Sequence, residues 1–194
     1  MINSLGHQTI EKTTESVTDR IKLGPVVSTS KDRNGQLKSR PPFAGDGYYF
    51  WEDNIEAAEW WGDVHYKQRG KDSRVFKIDI DLKYDGSFLD LIGNRQHIKL
   101  IGQLIKKVKM NVDCSGWKFY QFIAYFKRIE ESRPGVFSYK MIRFNDAKLN
   151  PKIHQPLALT GLENTPNKIL LNPFYIICVF DLHVLKKETF AFVK

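Results

Sequence analysis

Gly45-Asp46-Gly47-Tyr48-Tyr49-Phe50 opens the stretch best suited to chemistry in this chain: two glycines frame a tight turn and three aromatics follow as a short strand. Asp53 then caps a helix, with Glu56 completing an Asp-x-x-Glu capping box, and Trp60-Trp61-Gly62 closes it. Polar helices seldom end on a tryptophan pair unless the rings cover something flat, so this corner reads as an aromatic wall. A flat, electron-poor ring held between two π-faces gains about 1 kcal/mol or more from stacking and cation–π attraction. Upstream, His7 in Leu5-Gly6-His7-Gln8-Thr9 adds a titratable ring, although a lone histidine near a chain end is more often a surface residue. The five histidines (His7, His65, His97, His154, His183) do not pair with carboxylates at a metal-ligand spacing, which leaves a metal nuclease little support and implies no metal.

The elements that must position these groups follow from periodicity. Residues 9–21 have the spacing of a short amphipathic helix, with Ile10, Val17 and Ile21 on one side, ended by Gly24-Pro25. Residues 28–42 are polar, without period, and read as a loop. Residues 75–82 alternate, Phe76, Ile78, Ile80 and Leu82 facing one way and Lys77, Asp79 and Asp81 the other, as a half-buried strand does. Residues 88–91 are a short extended piece. Residues 95–110 form a helix with Ile98, Ile101, Leu104, Ile105 and Val108 inward, and 117–129 a second, aromatic-rich helix. Residues 136–144, 175–182 and 189–193 read as strands, the second nearly all apolar and therefore central, the last at an edge. The pattern predicts α+β with an antiparallel or mixed sheet, in one domain of 194 residues. No apolar run approaches the roughly 20 residues a bilayer-spanning helix needs. Without a visible secretory signal, and with only Cys114 and Cys178, a reduced, cytoplasmic setting is expected.

The corner resembles the second motif of the ADP-ribosyltransferase superfamily, in its poly(ADP-ribose) polymerase-like branch and among the small bacterial toxin or phage-defence members. That branch carries a Gly-x-Gly-hydrophobic-Tyr-Phe strand followed by a helix with an aromatic that stacks on nicotinamide. The resemblance implies a split antiparallel or mixed sheet flanked by helices, with NAD as the substrate. It sets Tyr49 against one face of nicotinamide and Trp60 against the other, with Gly47 and Tyr48 beside them. Leu5-Gly6-His7-Gln8-Thr9 is similar to the first motif, a strand ending in a His-Gly-Thr/Ser turn before a helix; Gln8 stands where glycine is usual. By this likeness His7 holds the nicotinamide ribose, and the backbone at Gln8, with Thr9, holds the carboxamide. The strand at 75–82 followed by Phe88-Leu89-Asp90-Leu91 is also similar to small bacterial members. The third motif is a buried strand bearing a catalytic glutamate. Counting back from Val179-Phe180-Asp181 puts Ile176 at that place, and counting from Asn172-Pro173 puts Phe174 there. An isoleucine implies transfer of a single ADP-ribose, or none. Glu163, in the loop before this strand, either supplies the missing base or is a solvated carboxylate. Arg33 and Arg40 are the candidates to clamp the NAD pyrophosphate, with Lys31 and Lys38 competing.

Charge points to the acceptor. Residues 95–152 hold 13 Lys and Arg against 4 Asp and Glu, while the whole chain carries +8, so the excess lies in this segment. It reads either as a solvated face or as a footprint for a polyanion, and a basic helical insertion at about 95–135 suits nucleic acid, RNA or DNA. Lys99, Lys106, Lys107, Lys109, Lys127 and Arg128 are the candidate phosphate contacts. Trp117, Phe119, Tyr120 and Tyr125 have the spacing either of a helix core or of base-stacking rings. A toxin that modifies nucleic acid is the leading expectation, with an antitoxin or inhibitor protein as a possible partner. Mono-ADP-ribosylation of a protein, or an inactive nucleic-acid or NAD-binding module, stand beside it.

Overall fold

The computed structural model describes residues 2–83, 85–145, 156–157, 169–170 and 174–194. The chain runs β1 (Ile2–Glu11), α1 (Val17–Leu23), β2 (Tyr48–Glu52), α2 (Ile55–His65), β3 (Ser73–Leu82), β4 (Phe88–Asp90), α3 (Arg95–Asn111), α4 (Phe119–Ser132), β5 (Met141–Asn145), β6 (Pro156–Leu157), β7 (Ile169–Leu170), β8 (Tyr175–Val179) and β9 (Ala191–Phe192). Seven strands form one mixed sheet in the order β4-β5-β8-β2-β1-β3-β9, and β6 and β7 pair separately. Among the described residues only β4 and β5 pair in parallel, so the long connection between them, carrying α3 and α4, is the crossover that parallel pairing demands. None of the described helices is long and apolar enough to cross a membrane.

The helix expected over residues 9–21 forms only in its second half: residues 9–11 close β1, and residues 17–21 are helical. β1 pairs with β3 along ten residues, from Ile2↔Leu82 to Glu11↔Ser73, and this long ladder overrides a weak helical spacing. The true helix starts only after Ser16, whose Oγ accepts from the Asp19 N–H at 3.1 Å, and ends at Gly24 as expected. Asp53 does not cap α2 either. Asn54 does, accepting from Ala57 N–H at 2.8 Å. Asp53 sits in the left-handed region (φ 47°), its N–H donating to the Leu5 carbonyl at 2.7 Å and its carboxylate accepting from Leu5 N–H at 2.9 Å. It ties the end of β2 back to β1. Gly62 is not the end of α2, which continues to His65. Its role is close approach: a Cβ there meets Ser73 Oγ at 2.5 Å and Thr9 Cγ2 at 3.2 Å.

Three later strands are shorter than expected: of 189–193 only Ala191–Phe192 is strand, since a 3₁₀ turn takes Lys187–Thr189, and β5 and β8 are cut back as well. The Glu130 carboxylate accepts from the N–H groups of Gly135 (2.8 Å) and Phe137 (2.5 Å), holding the chain in a turn after α4 so that β5 begins only at Met141. Those two hydrogen bonds hold the Glu130 carboxyl below its usual range. β8 stops at Val179 because Asp181 accepts from His183 N–H (3.0 Å) and starts a single 3₁₀ turn. Ile98, expected inward, is 47% exposed on α3, where Ile101 and Val108 make the buried line.

The sheet separates two apolar layers. One packs Phe50, Phe76, Ile78, Ile80, Ile177 and Val179 against the C-terminal Leu185 and Phe190. The other packs Leu89, Ile142, Phe144 and Cys178 under Phe122, Ile123 and Phe126 of α4 and Ile101 and Val108 of α3. At one end of the first layer lies a buried ion network. Arg143 Nε donates to Glu52 Oε2 at 2.6 Å, Asp90 Oδ2 is 3.8 Å from Arg143 Nη1, and the guanidinium lies 4.9 Å above the Tyr175 ring. Burial pushes the Glu52 carboxyl above its ordinary range, with Arg143 and Ser4 pulling the other way.

Candidate functional site

Strand register builds the site. His7 on β1 lies opposite Trp51 on β2, Trp51 opposite Ile176 on β8, and Ile176 opposite Phe144 on β5. On the other side His7 faces Lys77 on β3. Directly opposed residues share a sheet face. Lys77, His7, Trp51, Ile176 and Phe144 therefore form one row across five strands. Tyr49, two residues before Trp51, shares that face and lies opposite Cys178 in the next row. α2 covers the β1–β2 end of this face: Thr9 Oγ1 donates to the Ala58 carbonyl at 2.5 Å, and Ala57, Ala58 and Trp60 pack with Trp51. His7, Tyr49, Trp60 and Ile176, far apart in sequence, thus meet on one side of three adjacent strands.

The two counts for the third-motif position separate here. Ile176 is in the row with His7 and Trp51. Phe174 is fully buried outside it, edge-on to Trp51 at 5.6 Å and tilted over Trp60 at 6.0 Å. The aromatic wall is larger than the corner suggests and closes on itself. Trp60 meets Trp51 edge-on at 6.3 Å, and Trp61, next to both, stacks on His65 at 4.8 Å. Tyr49 belongs to the neighbouring cluster, edge-on to Phe144 at 6.3 Å. Ile176 packs against both clusters and so stands between Tyr49 and Trp60.

His7 is 5% exposed, and its Nδ1 has no hydrogen-bond partner among the described residues. Burial lowers its pKa, more than the Trp51 carbonyl and Asp53 raise it, so the ring is held neutral. It sits in mid-strand, not in the turn the first-motif likeness implies. β1 and β2 pair only at Gly6↔Glu52 and His7↔Trp51 and then part. Gln8 fills the gap on the opposite face: its Nε2 donates to the carbonyls of Val26 (2.8 Å) and Tyr49 (3.3 Å), and its Oε1 accepts from Val26 N–H (2.7 Å). The residue where glycine is usual thus fastens the 24–47 loop to the sheet. Gln8→Met removes both anchors of Val26 and should cost about 1–3 kcal/mol. Amide exchange at Val26 and Ser28 should speed up while the β1–β3 ladder stays protected; unchanged exchange there would sink this role.

Tyr49 is a fixed part of the wall. Its hydroxyl donates to the Gly45 carbonyl at 2.7 Å and accepts from Ala44 N–H at 3.0 Å. Burial, with the Cys178 thiol beside it, pushes its ionisation far above the ordinary value. Burial likewise pushes the Cys178 thiol up to about 12. Tyr48 turns to the other layer, with Phe50. Gly47 lets the 44–47 turn lie on β8, since a Cβ there meets Cys178 Sγ at 2.5 Å and the Val179 carbonyl at 3.0 Å.

Other sequence candidates do not converge here. Arg33 lies in the exposed tip turn whose N–H groups at Asn34 and Gln36 donate to Asp32, and Arg40 is exposed farther along the same loop. Glu163 lies outside the described residues. Lys127 holds its Nζ 4.3 Å above the Phe180 ring and Arg128 lies 5.2 Å above Tyr125, while Lys99, Lys106, Lys107 and Lys109 are exposed along α3. Trp117 is packed edge-on against Phe122 and Tyr125, and Phe119 stacks on Phe43. Sequence reasoning missed Trp51, the centre of the row, although the two-residue alternation from Tyr49 puts it on the same face. Among the described residues, no group of three His, Cys, Asp or Glu is placed to hold a metal ion. Comparison with protein-family models, curated proteins and solved structures gives no match.

Proposed function

We propose that this chain binds NAD on the His7–Trp51–Ile176 face and transfers a single ADP-ribose to nucleic acid. The observation that carries the reading is the row itself. The three segments that resemble the three transferase motifs lie on three adjacent strands, β1, β2 and β8, and turn His7, Tyr49 and Ile176 to one side beside Trp60. A neutral His7 whose Nδ1 has no partner among the described residues can accept a hydrogen bond from a ribose hydroxyl. Nicotinamide enters between Tyr49 and Trp60 over Ile176, displacing Phe174 from the Trp60 ring. In the transfer the bond from C1′ of the ribose to the nicotinamide nitrogen breaks, and nicotinamide leaves with the electron pair. An acceptor oxygen or nitrogen bonds to C1′ and its proton passes to solvent water. Ile176 offers no charge to the oxocarbenium-like sugar, so the acceptor's own groups must orient the attack.

The test is to incubate the purified chain with adenine-labelled NAD and cellular RNA, DNA and protein. The expected result is release of nicotinamide and label that nuclease removes. Label removed by protease moves the acceptor to protein, and NAD left intact with every acceptor unlabelled overturns the proposal.

A further inference from the structure

We propose that the outer face of α3 docks on the phosphate backbone of a double-stranded nucleic acid. α3 carries Arg95, Lys99, Lys106, Lys107 and Lys109 and no Asp or Glu. All five are exposed, and among the described residues none has a carboxylate within 4.0 Å. Lys12 pairs with Asp72, Lys67 with Asp63, Lys71 with Glu11 and Lys194 with Glu59; exposed cations such as Arg33, Arg40 and Arg69 are also without a carboxylate among the described residues, so what distinguishes α3 is five such cations on one helix. Arg95, Lys99, Lys106 and Lys109 fall within one stripe of the helix, opposite the line of Ile101 and Val108, with Lys107 to one side. The nearest following acid, Asp113, lies past the helix end and accepts from Ser115 N–H.

Such a stripe works against the helix that bears it. Arg95–Lys99 and Lys106–Lys109 are like-charge neighbours at i,i+4 and i,i+3, each costing about 0.2–0.5 kcal/mol. Arg95 also stands in the first turn, where the helix dipole disfavours a cation. An occupant that repays both costs must be anionic and extended, because the stripe runs about 21 Å along the helix axis. That length matches several consecutive backbone phosphates, each duplex strand presenting one roughly every 3.4 Å.

The rings decide between duplex and single strand. Sequence-tolerant single-strand binders add aromatic platforms to a basic groove. α3 has no aromatic other than His97, whose Nδ1 accepts from Asp90 N–H. Trp117, Phe119 and Tyr125 are half-buried against the core, Tyr120 is half-buried, Trp117 lines a cavity with Lys109 at the end of the stripe, and Lys127 and Arg128 lie over rings. Along the stripe itself no ring alternates with the cations, and phosphate contact without a run of stacking platforms suits the regular backbone of a duplex.

The inference rests on the charge pattern of α3, and its test contains no NAD, so its outcome is separate from that of the transfer assay. Fluorescence anisotropy of the full chain would be followed with a labelled duplex of about 20 base pairs, as DNA and as RNA, and with a single strand of equal length, across about 50–200 mM salt. The expected slope of log affinity against log salt is about −4 for a duplex, from four to five phosphate contacts. A Lys99→Gln, Lys106→Gln, Lys107→Gln, Lys109→Gln variant should lose about three units of that slope and bind duplex at least tenfold more weakly. Its melting temperature should be equal or higher, because repulsion is relieved. A variant with the parent's slope, a single strand bound more tightly than either duplex, or no salt-sensitive binding at all overturns the proposal.

Discussion

Replacing His7 with phenylalanine is expected to cut NAD turnover about 100-fold or more while leaving the chain as stable as before, or more so. The two halves have one cause. His7 is buried with its Nδ1 unpaired among the described residues, which is a cost that a phenyl ring of similar shape does not incur. The same nitrogen is the group proposed to receive the ribose hydroxyl. A buried polar atom that stability does not want is best explained by an interaction made with something else. The pH dependence follows. Burial depresses the folded-state pKa of His7 below its unfolded value near 6.5. Its neutral form is accommodated above about pH 6.5, and stability is lost as pH falls from there through the folded-state pKa. His7→Phe should remove part of that acid-side loss in urea titrations at about pH 5 and 7.5, and what survives includes the share of His65, whose pKa burial also lowers. A variant that unfolds, or one that turns NAD over at the parent's rate, would count against this role.

Arg143→Leu should destabilise the fold by about 3–5 kcal/mol, the largest loss expected from one side chain here. Glu52 is 7% exposed and Asp90 1%, and Arg143 is the cation common to both. Removing it leaves Glu52 charged in a site where burial already pushes its carboxyl up. The leucine variant should therefore be least stable near neutral pH and recover as pH falls and Glu52 takes up a proton, since a raised carboxyl loses stability as pH rises. Adding Glu52→Gln should restore part of the loss, so the double variant sits above the single one. Equal urea midpoints for Arg143→Leu and the parent would show that the network is not buried as described.

How much could be read beforehand depended on the range of the forces involved. α3 carries its own pattern over several turns, and its bounds match the expectation to within a residue. β3 and β8 announce themselves by alternation and by an apolar run. β1 does not, because its strand conformation is imposed by a partner some 70 residues away. Asp53 and Asn54 both qualify as caps by type; only the Leu5 backbone, brought in by the sheet, takes Asp53 out of the helix. The His7 row was half legible. Residue types suggested His7, Tyr49 and Trp60, but opposing Ile176 to Trp51 needed strand register, which one sequence does not display. Arg33 and Arg40 rest on the resemblance, which places a donor loop before the second motif and does not fix which cation in that loop faces the site.

The crossover between β4 and β5 has an evolutionary consequence. α3 and α4 are strung between the two outermost strands on one side of the sheet, so their recruitment leaves the order β8-β2-β1 untouched. α4 is committed, because Phe122, Ile123 and Phe126 are part of the shared core. α3 is committed through Ile101, Leu104, Ile105 and Val108 and exposes Arg95, Lys99, Lys106, Lys107 and Lys109. Selection can thus rewrite what the chain holds on to, one exposed residue at a time, without renegotiating the strands that would do the chemistry.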